Sequence, residues 1–229
     1  MKRFYKKVEV SSIDVGFGIT LDGKALLSPG KTKLVVPSKA LANAIADEWR
    51  NQEDQIIPST MPFMALSSTA VDRVRPRSDD TIDEILSFLE TDLLCYRAQE
   101  PDALVREQNE VWQPLLNWCE GLIGSAFNVT SGIMPVSQVP TLVPSARKIL
   151  RSYNDFELLG LHQFTSISGS AVIGLALSEN HIELEAAYQA AFIDDYFQIN
   201  NWGDDADASL RIANRRREML EIKEFLDLL

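Results

Sequence analysis

Between Ser152 and Leu210 the chain has no Lys and no Arg, while the same stretch holds ten Asp and Glu residues. The 229-residue sequence has a formal charge of −11, so this window supplies almost all of it; elsewhere 22 basic residues face 23 acidic ones. A segment of one sign repels phosphates and attracts a basic surface. The window is also rich in Leu, Ile, Phe, Tyr and Trp, so it reads as a folded acidic face and not a solvated tail. Histidine and cysteine are scarce. His162, His181, Cys95 and Cys119 lie at no metal-ligand spacing, so no metal and no cofactor are expected, and two cysteines in a chain this long suit reduced, buried thiols. Long apolar runs are missing too. The strongest, Ala171–Leu177, is far below the roughly 20 residues that span a bilayer. The opening Met-Lys-Arg-Phe-Tyr has neither an apolar signal region nor an Arg/Ser-rich presequence. These features place the chain in a bacterial cytoplasm, or in the mitochondrial matrix as a mature organellar form.

With 45% hydrophobic and 24% charged residues, the composition is that of a globular protein with a real core. The pattern predicts an α+β fold: a β-rich N-terminal domain over 1–90 with one or two helices, then an α-helical domain over 91–229. Phe4–Val10, Gly16–Leu21, Lys24–Leu27 and Leu34–Val36 read as strands, with Asp22-Gly23 as a tight hairpin turn. Ser38 is placed to cap a helix, Lys39–Asn51, whose apolar positions recur at helical spacing. Helices follow at Met61–Val74, Ser78–Glu90 and Pro101–Ile123, the last to be kinked or broken by Pro114. Leu93–Arg97 reads as a short strand. Four further helices are expected at 143–153, 155–177, 182–201 and 205–228. The N-terminal 39 residues carry eight basic side chains against three acidic, so the molecule is electrically lopsided.

No catalytic set assembles. Gly16-Phe17-Gly18 lacks the third glycine of a dinucleotide fingerprint, and Gly16 and Gly18 suit turn or bulge duty. Ser168-Gly169-Ser170 is no nucleophile elbow; Gly169, Ser170 and Gly174 suit close helix packing. The helix predicted over 182–201 is apolar nearly all round, which marks it as central or as an interface. On its wheel Asp194 falls on a polar seam. Asp195 falls in an apolar row between Leu184 and Tyr188, where a carboxylate needs a partner inside the protein or on another one. Trp202-Gly203 ends that helix. Trp49 reads as core, and Arg97 as a member of a buried polar network with Asp92.

Several segments in order resemble the ATP synthase assembly chaperone family that attaches to the α subunit of the soluble catalytic head: RFYKKVEV (3–10), GFGITLDGKALLSP (16–29), LANAIADEW (41–49), IIPSTMPFMALSSTAVDRV (56–74), TDLLCYRA (91–98), WQPLLNW (112–118), GLHQFTSISGS (160–170) and DDYFQINNWGDDADA (194–208). The likeness spans almost the whole chain. It implies a monomeric chaperone, not an enzyme, that holds the unassembled α subunit until a β subunit replaces it. By position it implies an important acid at Asp194 or Asp195, of which the wheel favours Asp195, and Asp194, Asp195, Tyr196, Gln198 and Trp202 are expected to meet the partner. Trp49, Asp92, Arg97 and Gly203 are expected to be structural. Met64-Ala65-Leu66-Ser67-Ser68, where the family favours Thr and Asn, is assigned no role. The competing expectation is a small carboxylate-dependent hydrolase that also uses His162. Nucleic-acid binding is disfavoured by the overall acidity.

Overall fold

A computed structural model describes residues 1–132, 134–202 and 206–229, with the backbone only for Trp202 and residues 206–209. The fold is α+β, and the chain divides into two compact units. One comprises Met1–Ser78 with Asp155–Leu159 and Glu224–Leu229; the other comprises Asp79–Asn154 and Gly160–Lys223.

The first unit holds the larger sheet. β1 (Val8–Ile13) and β2 (Gly16–Leu21) pair antiparallel, with Val8 opposite Leu21. Asp22 and Gly23 take φ of 49° and 78°, the left-handed pair that a tight hairpin requires, and β3 (Lys24–Ala25) returns against β2. β4 (Val35–Val36) pairs with Phe17 and Gly18 of β2. Gly16 has φ of 142°, and a Cβ there would lie 2.5 Å from the Val36 carbonyl oxygen, so no larger residue fits. The first strand begins four residues later than the alternation suggests, because Tyr5 is drawn inward. Its ring stands edge-on to Trp49 at 5.3 Å and its hydroxyl donates to the Trp49 carbonyl at 2.6 Å.

α1 (Lys39–Arg50) starts where the Ser38 hydroxyl accepts from the Leu41 N–H at 3.0 Å. Leu41, Ala42, Ile45, Ala46 and Trp49 form its buried face. Glu48 is buried with them, and its two oxygens accept from the Phe63 and Met64 N–H groups at 2.7 and 2.8 Å. These donors open α2 (Pro62–Thr69). Desolvation pushes the Glu48 carboxyl up to about 7 in spite of both bonds. α2 passes into a π turn, Ala70–Val74, where an unmodified helix was expected.

α3 (Ser78–Glu90) covers the expected residues. A 3₁₀ turn, Leu93–Cys95, then leads to β5 (Tyr96–Arg97), shorter than the strand expected there. α4 (Asp102–Ile123) runs through Pro114 as one helix, so of the kink or break expected there the break does not occur. Pro114 is exposed, while Trp112, Leu115, Leu116 and Cys119 are buried, and that packing outweighs one missing N–H. β6 (Thr130–Ser131) pairs parallel with β5. α5 (Leu142–Leu150), α6 (Asp155–Ser168) and α7 (Ala171–Ser178) follow. The single helix expected over 155–177 is divided at Gly169, whose φ is 73°, and Ser170 caps the new start by accepting from Ile173 N–H. A Cβ on Gly174 would lie 2.8 Å from Thr165 Oγ1, so α6 and α7 do pack through a small residue. α8 (Leu184–Ala191) and α9 (Ile193–Trp202) replace the one helix expected over 182–201, because Phe192 leaves helical geometry at φ −119°, ψ 23°. α10 (Ala206–Asp227) completes the chain.

α7 is buried on every face from Ala171 to Leu177 and packs on α4 and α8. Asp92, fully buried, meets the start of α7. It accepts from Ser170 Oγ at 2.7 Å and Val172 N–H at 3.0 Å, and from Leu94 N–H at 3.1 Å. Burial pushes its carboxyl up to about 6 against the pull of these donors. Asp92→Ala leaves those groups without an acceptor and is expected to lower stability by roughly 2–4 kcal/mol in urea titrations. Glu48 sets a pH dependence. Its raised folded-state pKa means the folded chain binds the proton more tightly, so stability falls as pH rises from about 4.5 through about 7. Chemical denaturation across that window should give a flatter profile for Glu48→Gln than for the wild type.

Candidate functional site

The expected partner residues lie on α9 in the second unit, and α4 determines where they point. Trp112, wholly buried, donates its indole N–H to the Ala190 carbonyl at 2.8 Å, which anchors the end of α8 just before the break at Phe192. One turn earlier on α4 sits Gln108, 2% exposed. Its Nε2 donates to Asp194 Oδ1 at 2.7 Å, its Oε1 accepts from Ala98 N–H at 2.7 Å, and its backbone carbonyl accepts from Arg97 Nη1 at 2.7 Å. Gln108 thus ties together α9, α4 and the segment after β5.

This arrangement reverses the wheel reading of the paired acids. Asp194 is half-buried and internally bonded; Asp195 is exposed. The break at Phe192 is the reason, because it shifts the phase of every later residue relative to a wheel drawn from Ile182. Burial raises the Asp194 pKa; the Gln108 bond opposes this and the neighbouring Asp195 charge adds to it.

Arg97 is buried at 4% exposure but does not join Asp92 as expected. Its partners are the Gln108 carbonyl, Gln113 Oε1 at 3.4 Å and the Trp112 ring at 5.2 Å, while its Nε has no hydrogen-bond partner among the described residues. Desolvation holds the guanidinium below its usual pKa. Asp92 instead serves α7, in a separate network.

Asp194, Gln198 and Phe197 share a cavity of about 360 Å³ with Arg97, Gln108 and Tyr96. Tyr196 faces another cavity, of about 370 Å³, with Glu107, Glu185 and Gln189. Its ring stands edge-on to Tyr188 at 5.9 Å. The Trp202 side chain and Gly203 lie outside the described residues. Trp49 is 7% exposed in the first unit. Sequence reasoning missed Gln108, although a signal was present: it shares the buried face of α4 with Trp112, Leu115 and Cys119, and a polar residue in such a row calls for partners.

The histidine named in the hydrolase reading and the carboxylates of the first unit lie in separate places. His162 Nε2 lies 2.7 Å from Glu84, and His181 stacks on Trp118 at 4.4 Å. A cavity of about 590 Å³ in the first unit gathers Glu48, Glu53 and Asp54. Both Glu48 oxygens are occupied by the N–H groups that open α2, and neither histidine lines this cavity.

Gln108→Leu removes the acceptor of Ala98 N–H and the donor to Asp194. The expected loss is about 1–3 kcal/mol of unfolding free energy, measured by urea denaturation. Glu110→Gln, at an exposed position of the same helix, should change it by less than about 0.5 kcal/mol.

Residues 2–120 match the model of the ATP12 chaperone protein family. The mitochondrial protein atp12 of Schizosaccharomyces pombe is 26% identical over 219 residues, spanning 90% of this chain and 75% of that protein. The crystal structure of Atp12 from Paracoccus denitrificans matches at a TM-score of 0.95 with 34% identity, over 99% of this chain and 97% of that one. A crystal structure from Agrobacterium tumefaciens matches at 0.91 with 38% identity, over 99% and 85%. A family match over half of the chain and a shared fold over nearly all of it lead to one conclusion: the chain belongs to the ATP12 family of ATP synthase assembly chaperones.

Proposed function

We propose that this protein binds the unassembled α subunit of the ATP synthase catalytic head, keeps it from aggregating until a β subunit takes its place, and performs no catalysis. Family membership is the observation that carries this reading. The α9 surface supports it physically. Asp195 and Gln198 are exposed, and Tyr196 and Phe197 are half-exposed beside them, so acidic and aromatic groups stand together on one short helix. A transient holder needs apolar area for affinity and charge for encounter rate and selectivity. The base-free window from Ser152 to Leu210 would draw a basic patch on the client. In this reading Asp195 faces the client, whereas Asp194 positions α9 through Gln108. The chaperone acts as a monomer where the catalytic head is built, in the bacterial cytoplasm or the mitochondrial matrix. Among the described residues no helix is long and apolar enough to cross a membrane.

The test is aggregation of purified α subunit with and without a molar equivalent of this chain, together with co-purification when β is scarce. Equal aggregation in both samples sinks the proposal. Asp195→Lys is expected to keep the wild-type melting temperature and to weaken α-subunit association about tenfold, mostly through the on-rate. The wild-type on-rate should itself fall as salt is raised.

A further inference from the structure

The first unit carries a groove that neither the acidic surface nor the assembly reading uses. Its volume is about 490 Å³, and its wall includes Trp49 of α1, Met61, and Met64, Ala65 and Ser68 of α2, with Leu27 on another side. Three of the five methionines in the chain, Met1, Met61 and Met64, border it. Methionine is unbranched and polarisable, so a wall built from it can remould around different apolar shapes. Met1 is 73% exposed and Leu27 46%, so apolar surface is open to solvent at the groove.

Two buried polar groups in the same wall have no partner among the described residues: the indole N–H of Trp49 and the hydroxyl of Ser68, on residues 7% and 6% exposed. Buried donors are nearly always paired, so an unpaired pair beside a groove calls for an acceptor. Asp72 also lines the groove but does not supply one, because it accepts from Ser28 Oγ at 2.6 Å and Gly30 N–H at 2.7 Å. The wall continues into the π turn Ala70–Val74, a local irregularity common at functional sites.

We propose that this groove binds a short, extended apolar segment of a non-native polypeptide. Leu- or Val-like side chains lie against Met61, Met64 and Ala65. A backbone carbonyl of the segment takes up the Trp49 N–H and Ser68 O–H once the flexible methionine ends move aside. A pure hydrocarbon would leave both donors unpaired. A strongly basic segment would meet Arg73 at the groove and be desolvated against the apolar wall without compensation, since Asp72 is already engaged. The site is independent of which client the acidic surface meets, so it stands or falls separately from the α-subunit reading.

The test is methyl NMR on the full chain with ¹³C-labelled methionine methyls, the four internal ones assigned by Met→Leu substitution and Met1 by elimination. The titrant is the peptide acetyl-Gly-Leu-Val-Leu-Gly-amide, with acetyl-Gly-Ser-Thr-Ser-Gly-amide as control. The apolar peptide should shift Met1, Met61 and Met64 saturably and leave Met134 and Met219 in place; the control should shift none. Ala65→Glu, at an exposed position, should weaken binding about tenfold with an unchanged melting temperature. Ser68→Ala, isosteric but for the hydroxyl, should weaken it about threefold, a loss near that of one neutral hydrogen bond. Asp195→Lys should leave it unaltered. Absence of groove-methyl shifts at millimolar peptide, or equal binding by Ala65→Glu, overturns the proposal. So does movement of the same methyls when the protein alone is concentrated, which would assign the groove to a second copy of the chain.

Discussion

A helix buried on every side cannot satisfy its first N–H groups with water, and α7 is such a helix. The carboxylate of Asp92, brought in by the turn before β5, accepts from the Val172 N–H and the Ser170 hydroxyl at its start. Ionised oxygen at a helix N-terminus is favoured by the helix dipole as well as by the bonds themselves. Desolvation works against it, which is why this acid titrates near 6 and not near 4. With α7 held in this way, α4 and α8 have a fixed surface to pack against.

The acidic site inherits its geometry from that packing through two polar residues on the inner face of α4. Trp112 bonds the end of α8 and Gln108 bonds the beginning of α9. Between those bonds the chain leaves helical geometry at Phe192. The break is therefore bracketed by two internal hydrogen bonds, and it rotates α9 so that one of two adjacent carboxylates turns inward and the other faces solvent. Adjacent acids in one helix otherwise differ in direction by only about 100°.

The two units offer contrasting surfaces. The second presents acids and aromatic rings, suited to fast, selective, salt-sensitive encounter. The first presents a methionine-bordered groove with two buried donors that have no partner among the described residues.

Much of the fold was legible in local chemistry. The Asp22-Gly23 turn, the Ser38 cap and the span of α3 follow from φ preference, side-chain capping and 3.6-residue periodicity, each satisfied within a few residues. The concentration of negative charge is likewise a property of the sequence. The continuity of α4 through Pro114, the splitting of two long apolar segments at Gly169 and Phe192, and the choice between Asp194 and Asp195 were not legible. Each depends on energy supplied by side chains distant in sequence: the packing around Trp112, the Ser170 cap and its bond to Asp92, and the reach of Gln108 across 86 positions to Asp194. Periodicity carries a phase from residue to residue, so an unseen break misassigns every face beyond it. What the sequence by itself determined was therefore the local elements and the sign of the surface. Which carboxylate that surface exposes was decided by tertiary contacts, because only they set the rotation of α9.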